Sequence, residues 1–133
     1  MEYYVEAGAK DKRMIEAMLP SMMAQLKLER SRYFLQIKVD REEQHEGQTL
    51  PLFGLNTILV VLKATRDKVE LGVTLAHEMV HVAQFAKGTL KLTPKGKRWK
   101  GKFYGRRVAY LQQPWEIDAF SKQELILRRA LEL

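Results

Sequence analysis

Met14, Ile15, Met18, Met22 and Leu26 recur at three- and four-residue intervals near the start of the chain. That spacing puts them on one stripe of an α-helix and predicts helix as the first element. Pro20 falls inside the stripe, where its missing N–H predicts a kink or two short abutting helices. The methionines read as core packing rather than as a ligand groove. Over residues 33–39 the period changes to two. Phe34, Leu35, Ile37 and Val39 supply β-favouring bulk, which predicts a half-buried strand.

Residues 40–47 are polar and read as a loop. Residues 48–54 read as a second strand, held to an edge position by Pro51. Ile58-Leu59-Val60-Val61-Leu62, within 56–63, predicts a strand of the buried or nearly buried type. A turn at Thr65-Arg66-Asp67 leads into a long helix over 69–87, with Asp67 as N-cap and Gly88 as C-cap. Residues 88–110 are rich in Gly and Lys and predict an irregular loop. Pro114 opens a last helix over 115–131, at the first-turn position where a missing N–H costs nothing. Ala119, Phe120, Gln123, Leu127 and Ala130 mark one side of it, and Ile117, Leu125 and Ile126 broaden the apolar surface. Helix, short strands, helix, loop and helix in that order predict an α+β fold. Without repeats or a dividing linker, residues 1–133 read as one domain.

Composition narrows the chemistry. No apolar run approaches the about 20 residues of a membrane span, and the first residues have neither the basic nor the apolar region of a signal peptide. Cysteine is absent, so disulfides and thiolate ligands are excluded and a reducing, cytoplasmic setting is expected. Any metal must be held by nitrogen and oxygen. The net charge of +7 is unevenly placed. Between Met79 and Trp115 there is no Asp or Glu, while Lys87, Lys91, Lys95, Lys97, Arg98, Lys100, Lys102, Arg106 and Arg107 fall within it. These exceed the net charge, so the rest of the chain is slightly acidic.

His77-Glu78-Met79-Val80-His81 is the strongest chemical signal. Two histidines four apart on a helix project from one face and can grip one ion. Glu78, beside the metal but angled from it, can take a proton from a zinc-bound water and pass it to a leaving amine. Val73, Leu75, Ala76, Val80, Val82, Ala83 and Phe85 make this helix apolar over most of its circumference. Two histidines and a glutamate inside it are costly unless something satisfies them. Catalytic zinc takes three protein ligands. His45 lies far upstream in a polar loop. Downstream, Glu116 is the preferred third ligand and Asp118 its alternative; the two lie about 200° apart on a helix, so only one can face the metal. Tyr104 and Tyr110 are each near enough in sequence to donate a phenol hydrogen bond to a developing oxyanion.

Thr74-Leu75-Ala76-His77-Glu78-Met79-Val80-His81, preceded by the strand at Ile58 to Leu62, resembles the active-site helix and preceding strand of zincin metallopeptidases. Glu116 on a following helix makes the chain similar to minimal gluzincins and to ImmA/IrrE-like peptidases. Trp99 to Tyr104 and Pro114 to Ala119 also resemble small phage-encoded metallopeptidase-like proteins, for which the host cytoplasm is the implied location. The resemblance covers roughly residues 56–122. It implies zinc held by His77, His81 and Glu116, with Glu78 as base. SprT-like proteases of DNA-bound proteins place a third histidine where this chain has Lys95-Gly96-Lys97-Arg98-Trp99, and an ammonium cannot ligate zinc.

The basic residues from Lys87 to Arg107, interleaved with Trp99, Phe103 and Tyr104, admit two readings besides a solvated surface. They can draw an acidic protein or peptide substrate, or a protein bound to DNA as for a SprT-like protease, to a zinc peptidase. Alternatively they can hold nucleic acid or an acidic protein in a zinc-containing binding module with little catalysis.

Overall fold

The computed structural model describes residues 1–52 and 54–132. Phe53, inside the segment expected as the second strand, lies outside the described residues, as does Leu133. The chain runs β1 (Tyr3–Glu6), α1 (Ala9–Gln25), β2 (Phe34–Asp40), β3 (Gly47–Leu52), β4 (Thr57–Lys63) and α2 (Lys68–Ala86). It continues through β5 (Leu90–Thr93), β6 (Gly96–Trp99), β7 (Lys102–Gly105), a short 3₁₀ turn (Tyr110–Gln112) and α3 (Pro114–Leu131). Helices and mixed sheets make the fold α+β, as expected. No helix among the described residues is long and apolar enough to cross a membrane.

One sheet has the order β1-β2-β4-β3, with β1, β2 and β4 parallel and β3 antiparallel to β4. β3 is an edge strand. Pro51 is tolerated there because a residue without an N–H loses no bond on an unpaired edge. The expected buried strand is β4, and its burial is one-sided: Ile58, Val60 and Leu62 are fully buried, while Thr57, Leu59 and Val61 are partly covered and Lys63 is exposed. Leu35 and Ile37 of β2 extend the same face. Against it pack Ile15, Leu19 and Met22 of α1 and Leu71, Leu75 and Met79 of α2, while Ala119, Leu127 and Ala130 of α3 close the same continuous core from the far side of these helices.

Four expectations need correction. The first element is the strand β1, not a helix; its four residues are too few to show a period, and their parallel pairing with β2 decides the matter. Of the two outcomes expected at Pro20, abutting short helices do not occur: α1 runs through it as one helix. Pro20 lies on the exposed side, where the carbonyl it leaves unpaired can face water. Ile117, Phe120 and Leu125 of α3 are exposed rather than core. The basic loop is a three-stranded antiparallel meander, β5-β6-β7. Its second turn is a two-residue hairpin between Trp99 and Lys102, with Lys100 and Gly101 both at positive φ (50° and 85°). That twist matches the right-handed twist of its strands, and glycine adopts it without strain.

Candidate metal centre

α2 is the element that carries the centre. The Asp67 carboxylate accepts hydrogen bonds from the Val69 and Glu70 N–H groups and so closes its N-terminus. Every residue from Leu75 to Gln84 is buried, so the helix threads the molecule between the sheet and α3. His77, Glu78 and His81 occur within that buried stretch, and their ligand atoms all lie within 4.8 Å of one another. This buried His-Glu-His group can hold a metal ion.

α3 crosses α2 and brings Glu116 to the same point. Glu116 Oε1 lies 2.9 Å from His77 Nε2 and 3.0 Å from His81 Nε2. The Tyr110 hydroxyl donates to the same oxygen at 3.2 Å. The far nitrogen of each imidazole is also held. His77 Nδ1 lies 2.7 Å from Gln123 Oε1, and His81 Nδ1 lies 2.7 Å from Gln84 Oε1. Gln84 Nε2 donates to the Trp115 carbonyl and to Asp118 Oδ2, both of them pure acceptors. The Gln84 amide orientation is therefore settled by its neighbours, and His81 must carry its proton on Nδ1. A neutral His81 then presents a lone pair on Nε2.

Lone pairs of two imidazoles aimed at one carboxylate oxygen repel unless a proton or a cation lies between them. Burial works against charge on His77, yet its hydrogen bonds to Glu116 and Gln123 prevail and raise its pKa above the ordinary value. Burial likewise opposes ionisation of Glu116, but hydrogen bonds and charge from the imidazoles, which act when Nε2 carries a proton, hold it well below the usual carboxylate range. Two nitrogens and one oxygen converging from separate elements, with both rings oriented from behind, fit the donor set of a divalent metal site.

Glu78 faces the same cleft from a different setting. Thr49 of β3 donates its hydroxyl to Glu78 Oε1 at 2.8 Å. Burial pushes the Glu78 carboxyl up, offset only in part by His81 and Thr49. Gly47, at the start of β3, permits this approach: a Cβ there would lie 2.8 Å from Thr74 Cγ2 and 2.9 Å from Glu78 Cγ. Phe120 packs edge-on to His77 at 4.6 Å, which accounts for a large apolar side chain at the surface. All these groups border one cleft of about 480 Å³.

The other sequence candidates fall elsewhere. Asp118 supports Gln84 and pairs with Lys122 at 2.8 Å, on the side of α3 away from the Nε2 atoms. His45 stands at the rim of the cleft with its ring on Glu43. Tyr110 borders the cleft, its hydroxyl pushed up to about 12 by burial and by the negative charge of Glu116. Tyr104 packs edge-on against Trp115 at 5.7 Å and is not among the residues bordering the cleft. Sequence reasoning missed Gln84, Gln123 and Thr49 as site residues. Gln84 follows His81 by three, one helical turn, and Gln123 interrupts the apolar side of α3; both spacings were legible signals. Thr49 had none, because only the folded edge strand brings it to Glu78.

Removing the support behind His81 should weaken the site without touching a ligand. Gln84→Leu deletes the acceptor for His81 Nδ1–H, and a 10–100-fold loss of metal affinity, about the usual effect of such partners, is expected in a competition titration. Unchanged affinity would mean that this hydrogen bond does not orient the ring for metal. No protein-family model matches the chain, and no curated protein or solved structure matches it either.

Proposed function

We propose that the protein is a zinc-dependent metallopeptidase of the gluzincin type, with His77, His81 and Glu116 as ligands and Glu78 as general base. The observation that carries this reading is the division of labour between two buried carboxylates. Glu116 Oε1 touches both Nε2 atoms, whereas Glu78 Oε1 is engaged by Thr49. A set of two imidazoles and one carboxylate with no thiolate suits zinc with a position left for water. When bound, zinc supplies a Lewis acid that lowers the pKa of water and polarises a carbonyl.

The chain's own residues account for the remaining steps. Glu78, raised by burial toward the range of a working base, accepts a proton from the attacking water as the new C–O bond forms. It returns that proton to the amide nitrogen as the C–N bond breaks, so carboxylate and amine leave with atoms balanced. Tyr110, protonated at any neutral pH, donates a hydrogen bond beside the ligands and is the better placed of the two tyrosines to stabilise an oxyanion. The unpaired edge of β3, whose residues 47–50 border the cleft, offers main-chain hydrogen bonds to an extended peptide. That favours a peptide over a compact ester.

A second reading, a zinc-containing nucleic-acid-binding module, draws support from the outer face of the meander. Lys91, Arg98 and Phe103 stand there in one cross-strand row and are exposed, a pattern suited to phosphates and a stacked base. One experiment separates the two. The zinc-loaded protein is expected to cleave quenched peptides from a mixed library, with cleavage abolished by chelator and restored by zinc. Absence of cleavage from a metal-loaded protein that is retained on single-stranded DNA at low salt would instead select the binding module.

A further inference from the structure

Among the basic residues of the meander, Lys97 alone borders the metal cleft. It occupies the middle of β6, paired across the sheet with Leu92 and Tyr104. Its Nζ stands 5.0 Å from the centre of the Trp115 ring, and Trp115 is only 2% exposed. The neighbouring cations have other settings. Lys100 lies over Trp99, Lys102 over Tyr104, and Arg106 donates to the Pro94 carbonyl. Among the described residues the Lys97 ammonium has no hydrogen bond or ion pair.

Packing does not explain that charge. A methionine would cover Trp115 equally well and avoid the cost of drawing an ammonium partly out of water. The cation–π contact offsets some of this cost. Burial still lowers the lysine pKa, with the Glu116 charge pulling in the opposite direction. Lys97 is also the one lysine or arginine in a cleft that otherwise bears the carboxylates of Glu46, Glu78 and Glu116. Glu78 and Glu116 are engaged by Thr49 and by the imidazoles. An incoming anionic group therefore finds one lysine or arginine in the cleft, an ammonium not already paired, beside the Trp115 Nε1–H, which is buried without a partner among the described residues.

We propose that Lys97 is a specificity-determining residue that binds a carboxylate of the peptide substrate inside the cleft. Binding of a carboxylate supplies the partner that the ammonium lacks, through a charge-assisted hydrogen bond. The carboxylate comes either from an Asp or Glu side chain or from the C-terminus of the peptide; the chemistry at Nζ is the same. The role as a substrate residue rests on the metallopeptidase reading above, whereas carboxylate capture can be measured apart from hydrolysis.

The test uses the zinc-loaded Glu78→Gln protein and three fluorescent peptides of one length. One is neutral with an amidated C-terminus, one carries a Glu and an amidated C-terminus, and one is neutral with a free C-terminus. Anisotropy is expected to show tighter binding of one carboxylate peptide than of the neutral one, by about 10- to 100-fold. Which of the two is favoured names the source. Adding Lys97→Met, which preserves the apolar cover over Trp115, should bring the ratio of charged to neutral affinity close to one. Lys97→Arg should retain most of it. No preference before the lysine is changed, a preference that survives Lys97→Met, or no binding of any peptide would overturn the proposal. Carboxylate preference in a protein whose Glu78 form cleaves none of the three would sustain Lys97 as an anion site and remove the peptidase reading alone.

Discussion

Glu116→Gln should lower zinc affinity by more than about 100-fold, beyond the loss typical of residues that merely support a ligand. Glutamine keeps the size of the side chain and an oxygen acceptor for the Tyr110 hydroxyl. What it loses is the negative charge that faces both Nε2 atoms at 2.9 and 3.0 Å. Asp118→Asn is the matched control. Its carboxylate accepts from Gln84 Nε2, a role that an asparagine oxygen can fill, so affinity should stay within about 10-fold of the parent. Both values come from competition with a chromophoric chelator, with helix content checked by circular dichroism. Full zinc retention in Glu116→Gln together with loss in Asp118→Asn would reverse the ligand assignment. Loss in neither would leave His77, Glu78 and His81 as the metal group and take Glu78 away from its role as a base.

Glu78→Gln should act on rate rather than on metal. The glutamine oxygen can still accept from Thr49, so the carboxylate is replaced with little disturbance to β3 or α2. Without a proton acceptor, turnover should fall by about 10²- to 10⁴-fold at unchanged zinc content. Equal activity in parent and variant would sink the assignment of Glu78 as base. The pH profile adds a second check. Burial raises the Glu78 carboxyl above its ordinary value, and only the ionised form can take a proton. Activity should therefore fall as pH drops through that raised pKa, with the acid limb of kcat/KM above the range of an exposed glutamate. An acid limb in the ordinary carboxylate range would mean that the charge of the bound zinc offsets the effect of burial on Glu78.

Much of the chain's architecture follows from local pattern. The three-four spacing of Ile15, Met18 and Met22 and the alternation of Leu35 and Ile37 each identify an element and its buried side. Asp67 and Pro114 mark helix starts by their own chemistry, a carboxylate for orphan N–H groups and a ring without an N–H. Even the pair His77 and His81 is a local fact, because one helical turn fixes which way both rings face. The hairpin at Lys100-Gly101 was legible by the same logic, yet the charge and glycine content of its surroundings masked the alternation of the four-residue strands on either side.

The remaining features are set by contacts between residues far apart in sequence. β1 is a strand because β2 lies beside it, and Phe120 is exposed because it walls a cleft beside His77 rather than entering the core. Glu116 rather than Asp118 meets the histidines through the angle at which α3 crosses α2, which no helical period encodes. Thr49 reaches Glu78 only because β3 occupies the sheet edge over α2, and Lys97 turns into the cleft only because β6 presents that face to Trp115. The sequence by itself thus determined the helices, three of the seven strands among the described residues and the pair of histidines, all governed by backbone periodicity. The tertiary structure alone decided which carboxylate faces them, what holds each ring and which cation shares the cleft, because those depend on how separate elements pack.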